Sequence, residues 1–528
     1  MRIKKDGVMK KILVFFIISI SLLFSSNEPI KNIEIGKNRE IRINGKCFFP
    51  LMLWLQSDTR IPDGLSIGVN TFMGNGGKLS EKEYVEKLKE AGLYGIVRFT
   101  PELVGHDNLL GWYIEDEPDL DKKVYDSTII PGKTLKLNPR TPLERILDGD
   151  ISSWSVLDPL QDAELTIKFK NELEIREIGI SLTISKGLSV AKDVVFIADG
   201  TKEILKATLE EKKGLQRFPL KEPVKLSSLT FKVLSIYQHE NEYGSIGEII
   251  GYDKDGNNLF LSPPRIVQRI PPEEWAKKYN EVKEKDKTRP IFLTLTASFM
   301  DEFTRWDEET KKKIYPEYAK NCDVIGFDVY PIFGWNKIEW IDYVARGTKK
   351  LCQLAGNKPV FVWIETNKGS RWVSPERQKD VLPQHTRAEV WMAIIEGATG
   401  IGYFTHSWVP SYKQFAPTEE MRKELKRLNE QITKLTEVIL SDPYEGKIEM
   451  VNENNLKCHF KATKKNGEIW IFAQNLEYEK EGNFEIKIEG INKGKVEVYD
   501  EDREIEIVDG KFKDYFKSLA EHIYRIRK

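Results

Sequence analysis

Two stretches of the sequence share one form: Leu-Leu-Gly-Trp-Tyr-Ile-Glu-Asp-Glu at residues 109–117 and Pro-Val-Phe-Val-Trp-Ile-Glu at residues 359–365. Each is a run of β-branched, aromatic and other apolar residues that closes on a glutamate, Glu117 or Glu365, before the chain turns polar. Such runs predict buried strands of a parallel sheet. Because parallel barrels build their active sites at the carboxyl ends of the strands, both glutamates are candidate site residues.

Strands of this kind alternate with helical stretches along most of the chain. Asn44-Gly45 predicts a hairpin that leads into a first buried strand ending near Trp54. Counting from there gives eight strands, which predicts an α/β fold of the (β/α)8 barrel type. Between the third and fourth strands, residues 100–108 are too few for a full helix. The further strands are predicted at residues 66–73, 94–99, 109–117, 290–296, 323–330, 359–365 and 400–406.

Two regions have a different character, with short alternating strands, frequent turn residues and no long helical stretch. Residues 121–265 predict an all-β module inserted after the fourth strand, and residues 441–528 predict a C-terminal β-sandwich. The barrel is therefore expected in two parts, residues 28–120 and 266–440, behind an N-terminal signal at residues 1–27.

The N-terminal segment predicts export. Residues 10–26 are largely apolar, follow several lysines and an arginine, and end in small residues, which is typical of a secretory signal. The run is short for a membrane span, although an uncleaved anchor remains an alternative. No later segment is apolar enough to cross a membrane. The expected location is secreted or extracytoplasmic.

Composition narrows the class of protein further. A chain of 528 residues with 40% hydrophobic and 31% charged residues predicts a globular protein of more than one domain. The formal net charge of -1 gives no reason to expect nucleic acid or an anionic membrane surface as a partner. Abundant Lys, Glu and Ile are typical of proteins from hot environments, or of an AT-rich genome. The scattered cysteines indicate a fold without disulfides: Cys47, Cys322, Cys352 and Cys458.

The paired glutamates point to one kind of chemistry. Side chains alternate on a strand, so Tyr113, Glu115 and Glu117 should share one face, and Trp363 and Glu365 should share another. A buried carboxylate is costly without a partner or a function. Two carboxyl groups that face one cavity are the smallest set of side chains with which most glycosidases cleave a glycosidic bond. An ion pair at the barrel rim is the alternative for each glutamate.

With these residues in place, the barrel resembles the clan A retaining glycoside hydrolases, which carry the acid/base on the fourth strand and the nucleophile on the seventh. The resemblance implies that Glu117 is the acid/base and Glu365 the nucleophile. Asp116 stands where the clan usually has an asparagine that helps to bind the sugar 2-hydroxyl. Tyr330 ends the sixth strand, where a tyrosine typically hydrogen-bonds the nucleophile, and Trp408 follows the eighth, where an aromatic platform is common. Core packing is the alternative role of these aromatic residues.

Further candidates for sugar contacts lie at strand ends or in loops of the same barrel face. They are Trp54, Trp372 and His406. The histidines show no metal-ligand spacing, and the sequence has neither a Gly-x-Ser-x-Gly elbow nor a phosphate-binding loop. Catalysis is therefore expected to need no cofactor.

The inserted module resembles the discoidin, or coagulation-factor C-type, β-sandwich that serves as a carbohydrate-binding module. The matching text is Ile-Leu-Asp-Gly-Asp-Ile-Ser-Ser-Trp at residues 146–154 and Tyr-Gly-Ser-Ile-Gly-Glu-Ile-Ile-Gly-Tyr at residues 243–252. The resemblance implies a structural calcium held by Asp148, Asp150 and Glu248, since oxygen ligands suit this cation. A metal-free turn is the alternative.

These observations predict an exported retaining glycoside hydrolase that cleaves β-glycosidic bonds in a poly- or oligosaccharide by double displacement. The expected partner is the carbohydrate substrate, with no nucleic acid and no membrane beyond the signal segment. Two alternatives remain: a non-catalytic carbohydrate-binding or scaffold protein on a degenerate barrel, and a transglycosylase that shares the first chemical step.

Overall fold

A closed barrel of eight parallel strands is the central feature of the computed structural model, which describes residues 27–452 and 454–527. Each barrel strand pairs in parallel with both of its neighbours, and this confirms the expected barrel. The apolar run of the predicted signal, residues 10–26, lies outside the described residues. In barrel order from the first to the eighth, the strands are Leu51–Gln56, Thr71–Asn75, Tyr94–Arg98, Leu109–Asp116, Ile291–Thr296, Val324–Asp328, Val360–Glu365 and Gly400–Phe404.

Helices follow the barrel strands in chain order. A 3-10 turn, Pro101–Leu103, replaces a helix after the third strand, as the short spacing predicted. The strand predicted at residues 66–73 begins later than expected, at Thr71, because the helix Ile61–Ser66, with Pro62 in its first turn, precedes it. The helices are Ile61–Ser66, Glu81–Glu90, Pro272–Lys285, Glu308–Lys320, Tyr343–Ala355, Pro383–Ile395 and Glu419–Ile439.

Capping and burial explain these elements. Ser80 caps the helix Glu81–Glu90 through a reciprocal pair of hydrogen bonds with Glu83, which satisfies backbone N–H groups of the first turn. The seventh strand is buried along its whole length, as expected for a barrel strand with helices outside and side chains within. Before the barrel, the strands Ile41–Ile43 and Lys46–Phe48 pair around Asn44-Gly45, and both turn residues have the positive φ that this hairpin needs.

Residues Asp121–Gln268 form a separate compact unit, which lies in the sequence between the fourth and fifth barrel strands. It has its own hydrophobic core, and its ends are joined by an antiparallel pair, Asp121–Val124 with Arg265–Gln268. The other strands, chiefly antiparallel, are Thr128–Pro131, Ser155–Leu157, Glu164–Leu182, Leu188–Ala191, Asp193–Ala198, Lys202–Thr208, Gly214–Val233, Ile236–Tyr237 and Asn241–Tyr252.

The C-terminal β-domain belongs to the same compact unit as the barrel. Trp391 of the helix Pro383–Ile395 stacks on Phe472 of this domain, with ring centroids 5.7 Å apart. Its strands are Asp442–Pro443, Ile448–Asn452, Cys458–Lys465, Glu468–Asn475, Gly482–Ile488, Lys493–Val498, Arg503–Val508, Lys511–Phe516 and Glu521–Ile526. Within the described part of the chain, no helix has the length and apolar character needed to cross a membrane.

Candidate functional site

The fourth barrel strand, Leu109–Asp116, carries one extra residue beside the fifth strand. Tyr113 pairs with Phe292 and Asp116 pairs with Thr294. The fourth strand therefore advances by three residues where the fifth strand advances by two. Such a bulge shifts the alternation of side chains by one residue. Tyr113 and Asp116 therefore lie on the same face of the sheet.

The expectation that Tyr113, Glu115 and Glu117 share one face is wrong, and the bulge is the reason. Glu115 accepts a hydrogen bond of 3.1 Å from the guanidinium of Arg98 at the exposed rim. Glu117 follows the end of the strand with φ of 45°, a left-handed conformation that costs a non-glycine residue roughly 1–2 kcal/mol. Its backbone N–H donates to the carbonyl of Thr294 at 3.2 Å, and its carboxyl group lines a cavity at the barrel mouth.

Asp119, two residues further on, anchors the turn that carries Glu117. Its buried carboxylate accepts hydrogen bonds from the backbone N–H of Thr296 at 2.9 Å, the hydroxyl of Thr296 at 2.6 Å and the hydroxyl of Tyr315 at 3.0 Å. Burial raises the pKa of Asp119 to about 6, and the donors from Thr296 and Tyr315 oppose that rise. These bonds compensate for the strain at Glu117 and tie its loop to the fifth strand and the helix behind it.

Arg269 brings a positive charge to the same strand end. One guanidinium nitrogen donates to the backbone carbonyl of Asp116 at 2.9 Å, and another lies 3.9 Å from the carboxylate of Glu117. Arg269 follows the inserted unit in the sequence, so nothing in the local sequence around Glu117 predicts this neighbour.

Three carboxyl groups meet at this mouth of the barrel: Asp116, Glu117 and Asp328. Burial raises the pKa of Asp116 to about 8, with a further contribution from the charge of Glu117. Burial also raises the pKa of Asp328 well above its usual range, and both the charge of Glu117 and a hydrogen bond with it act in the same direction. Near neutral pH Asp116 and Asp328 therefore tend to keep their protons beside Glu117, an arrangement suited to proton transfer.

Glu365 has entirely different surroundings. Its side chain is fully buried, and it does not line the cavity that contains Glu117. One carboxylate oxygen accepts from the backbone N–H of Ile332 at 2.9 Å, and the other accepts from that of Phe333 at 2.6 Å. No hydrogen bond joins Tyr330 to Glu365 among the described residues, contrary to the contact that the clan A resemblance implies. Glu365 thus holds the loop after the sixth strand, and its role as nucleophile stays a prediction.

A second buried glutamate, Glu389 of the helix Pro383–Ile395, faces Glu365. Burial raises the pKa of Glu365 to about 7, and the backbone donors of Ile332 and Phe333 oppose the rise. Burial and the charge of Glu365 together raise the pKa of Glu389 well above its usual range. The anion is therefore placed on Glu365, where the two amides stabilise it, and the proton on Glu389.

An aromatic wall lines the mouth beside the three carboxyl groups. Tyr330 and Phe404 lie 4.9 Å apart, and Phe404 stacks on Trp408 at 5.7 Å. Trp408 meets the exposed Trp372 at 5.5 Å. Aromatic surfaces of this kind provide large contact area with a polar edge, a combination that suits sugar rings.

Two adjoining cavities of about 440 Å³ and about 660 Å³ make up the cleft. They have in common Glu117, Asp328, Tyr330, Arg371 and Trp372. Among the residues predicted from the sequence, this cleft brings together Asp116, Glu117, Tyr330, Trp54, Trp372, Trp408 and His406, and it leaves out Glu365.

Other cleft residues went unpredicted or were not chosen as site residues. Asp328 ends the sixth barrel strand, and a buried strand that ends in an acidic residue is the same signal that identified Glu117. Arg371 and Tyr412 belong to loops, where residue type alone predicts no position. His406 stacks on Tyr412 at 6.0 Å, and burial lowers its pKa to about 4, so it contributes a neutral ring.

The candidate calcium ligands of the inserted unit do not converge. Within residues 27–452 and 454–527, no group of three His, Cys, Asp or Glu side chains is arranged to hold a metal. The hydroxyl of Ser153 donates to Asp148, that of Ser152 donates to Asp150, and Glu248 accepts from the backbone N–H of Gly149 at 2.8 Å. The other carboxyl oxygen of Glu248 is buried and has no hydrogen-bond partner among the residues that the structure describes, and burial raises the pKa of Glu248 to about 7. The donor set thus fits calcium incompletely, and the metal stays a prediction.

Comparisons with known proteins give structural similarity alone. No family model matches the sequence, and no curated protein matches it. An Anoxybacillus α-amylase is 13% identical over 49% of this chain and 57% of its own, with a TM-score of 0.35. The family 32 carbohydrate-binding module of Clostridium perfringens NanJ, in complex with galactose, is 13% identical over 25% of this chain and 97% of its own, with a TM-score of 0.20.

A second family 32 module, from Streptococcus pneumoniae EndoD, is 17% identical over 25% of this chain and 100% of its own, with a TM-score of 0.21. Because the identities are below 25% and the TM-scores are below 0.5, these similarities assign neither a family nor an activity to the chain.

Proposed function

We propose that this protein is an exported glycoside hydrolase that cleaves a poly- or oligosaccharide without a cofactor. The observation that carries the proposal is the cluster of Asp116, Glu117 and Asp328 at the carboxyl ends of barrel strands, beside an aromatic wall. A glycosidase needs one carboxylic acid that can donate a proton and one carboxylate that can attack or activate water. Environments that separate the pKa values of neighbouring carboxyl groups supply this pair.

The surroundings favour Glu117 as the carboxylate and Asp328 as the acid. Asp328 is hydrogen-bonded to Glu117, and its pKa lies well above the usual range because of burial and that charge. In the first step Glu117 attacks the anomeric carbon while Asp328 gives its proton to the leaving oxygen. In the second step Asp328 takes a proton from water, and the resulting hydroxide displaces Glu117 from the sugar. Asp116 is placed to contact a sugar hydroxyl.

Retention of configuration at a β-linked sugar is the finer part of the proposal. Inverting enzymes hold their carboxyl groups about 6.5–9.5 Å apart to admit a water, whereas retaining enzymes hold them about 5–5.5 Å apart. Glu117 and Asp328 line the same two cavities, and the proposal assigns them the shorter separation of a retaining enzyme. Proton NMR of the first product anomer distinguishes the two courses.

The assignment that the clan A resemblance implies, with Glu117 as acid/base and Glu365 as nucleophile, is the second candidate. It is favoured by the positions of both glutamates at strand ends, and it requires substrate to reach a carboxylate that is fully buried and bound by two backbone amides.

One labelling experiment separates the candidates. An activated 2-fluoro-glycoside that matches a substrate found in a screen of aryl glycosides should form a stable adduct, and peptide mass spectrometry should place it on Glu117. An adduct on Glu365 would support the second candidate. Absence of turnover on every glycoside and polysaccharide, together with measurable sugar binding, would instead support a non-catalytic carbohydrate-binding protein. Predominant transfer to an added sugar acceptor would support a transglycosylase.

We further propose that the inserted unit, Asp121–Gln268, binds carbohydrate. Its antiparallel strands, with exposed Trp154 and Tyr243, suit this role. Replacement of residues 122–262 by a short linker should reduce activity on polymers more than activity on aryl glycosides. An equal loss on both substrates would indicate a structural role.

A further inference from the structure

Arg371 occupies a distinctive position in the cleft. It follows the seventh barrel strand, is exposed, and lines both the cavity of about 440 Å³ and the cavity of about 660 Å³. Its guanidinium lies 4.9 Å from the ring centroid of Trp408 and 5.4 Å from that of Trp372. Contact with two indole rings restricts the side chain without neutralising its charge.

Within the part of the chain that the structure describes, Arg371 forms no ion pair with an acidic residue. Its guanidinium contacts the two indole rings instead. Arg269, at the other end of the carboxyl cluster, differs because its guanidinium shares its charge with Glu117 at 3.9 Å. A fixed and uncompensated guanidinium at the junction of two cavities is available to a ligand.

The carboxyl cluster does not cancel this positive charge. Two of its three members, Asp116 and Asp328, have pKa values raised mainly by burial, so near neutral pH they are largely uncharged. The third member, Glu117, has Arg269 as an ion-pair partner at 3.9 Å. The part of the cleft lined by Arg371, Trp372 and Trp408 is therefore positive and aromatic.

We propose that the cleft recognises an anionic saccharide, in which the sugar beside Trp372 and Trp408 bears a carboxylate or a sulfate ester that Arg371 binds. A guanidinium offers paired donors that match the two oxygens of either group, and a charge-assisted bond of this kind is stronger than one to a neutral hydroxyl. This inference rests on the proposed function only in taking the cleft as a carbohydrate site. It concerns binding, so it holds or fails independently of turnover.

The test measures binding by the full-length protein to three probes: a neutral β-glucan oligosaccharide, an oligouronate and a sulfated galactan oligosaccharide. Isothermal titration at low and high salt should give tighter binding of one anionic probe than of the neutral one, with the difference reduced by salt. Arg371→Gln should weaken binding of that anionic probe by about tenfold or more and weaken binding of the neutral probe far less, as expected for loss of one charged contact. The anionic probe whose binding weakens in Arg371→Gln shows whether Arg371 binds a carboxylate or a sulfate ester.

Two further variants complete the test. Arg371→Lys should retain part of the preference because it keeps the charge and loses the paired donors. Arg377→Gln is the matched control, since Arg377 is exposed in the same loop and lines neither cavity. Three outcomes would overturn the proposal. The wild type could bind neither anionic probe more tightly than the neutral one, Arg371→Gln could weaken binding of neutral and anionic probes equally, or Arg377→Gln could have the same effect as Arg371→Gln. Loss of turnover with the anionic preference intact would count against the proposed hydrolase and leave this inference standing.

Discussion

Glu117 and Glu365 end barrel strands of similar sequence, yet one faces the cleft and the other is buried behind it. At Glu117 a bulge and a left-handed residue turn the carboxyl group into the cavity. At Glu365 the strand runs straight to its last residue, and the amides of Ile332 and Phe333 close over the carboxylate. A strand-end glutamate is therefore a candidate for catalysis or for loop support, and local backbone geometry distinguishes the two.

The largest expected difference is in turnover. Glu117→Gln should reduce kcat/KM on an aryl glycoside by about 10³-fold or more, because it removes a group that reacts with substrate. Glu365→Gln should cost at most about 10²-fold, since it displaces the wall of the cleft without removing a reacting group. Steady-state kinetics of both variants provide the comparison, with Glu115→Gln as a control because Glu115 pairs with Arg98 at the rim. A greater loss in Glu365→Gln than in Glu117→Gln would reverse the assignment.

The second expectation concerns stability and compares the two buried glutamates, Glu365 and Glu389. Glu365→Gln places an amide N–H₂ against a backbone N–H and leaves a buried donor without an acceptor, so unfolding free energy should fall by about 1–3 kcal/mol. Glu389→Gln should be tolerated better, because a neutral side chain that can donate a hydrogen bond replaces a protonated carboxyl group. Urea denaturation of the two variants measures the difference. A larger loss in Glu389→Gln would place the anion on Glu389 instead.

Much of the contrast between the two glutamates was beyond prediction from the sequence. The buried parallel strands were predictable because they are continuous apolar runs, and the strand Pro290–Thr296 was expected within one residue of its observed start at Ile291. The bulge beside Glu117 depends on register with that strand, and the burial of Glu365 depends on amides contributed by a loop. Neither contact leaves a local pattern. Arg371 and Arg269 come from loops, where side-chain position follows from the assembled fold.

The third expectation concerns the pH dependence of stability. Burial raises the pKa of Glu365 to about 7 and that of Glu389 further, so both bind protons more tightly folded than unfolded. Their stabilising contribution is fully present below the unfolded pKa of about 4.3, and it is lost as pH rises through the folded pKa values.

Glu389→Gln removes one of these two titrating groups. Between about pH 5 and about pH 8, Tm should therefore fall less in Glu389→Gln than in the wild type. Glu115→Gln, with its carboxyl group at the exposed rim, should keep the wild-type slope. If Tm falls equally with pH in Glu389→Gln and the wild type, the pKa of Glu389 is not raised in the folded protein.

The smallest expected effect on turnover tests the anchor beneath Glu117. Tyr315→Phe removes one donor from the buried carboxylate of Asp119, and loss of a hydrogen bond to a charged group costs about 1.5–3 kcal/mol. With less support from Asp119, the strained turn at Glu117 should relax, and kcat should fall several-fold while KM changes little. Tyr279→Phe is a matched control, because that hydroxyl also donates to a carboxylate, that of Asp323 at 3.0 Å, and not to the turn that carries Glu117. Both variants should lose stability, and only Tyr315→Phe should lose turnover. If the two lose turnover equally, the effect is general loosening of the barrel, and the conformation of Glu117 does not depend on Asp119.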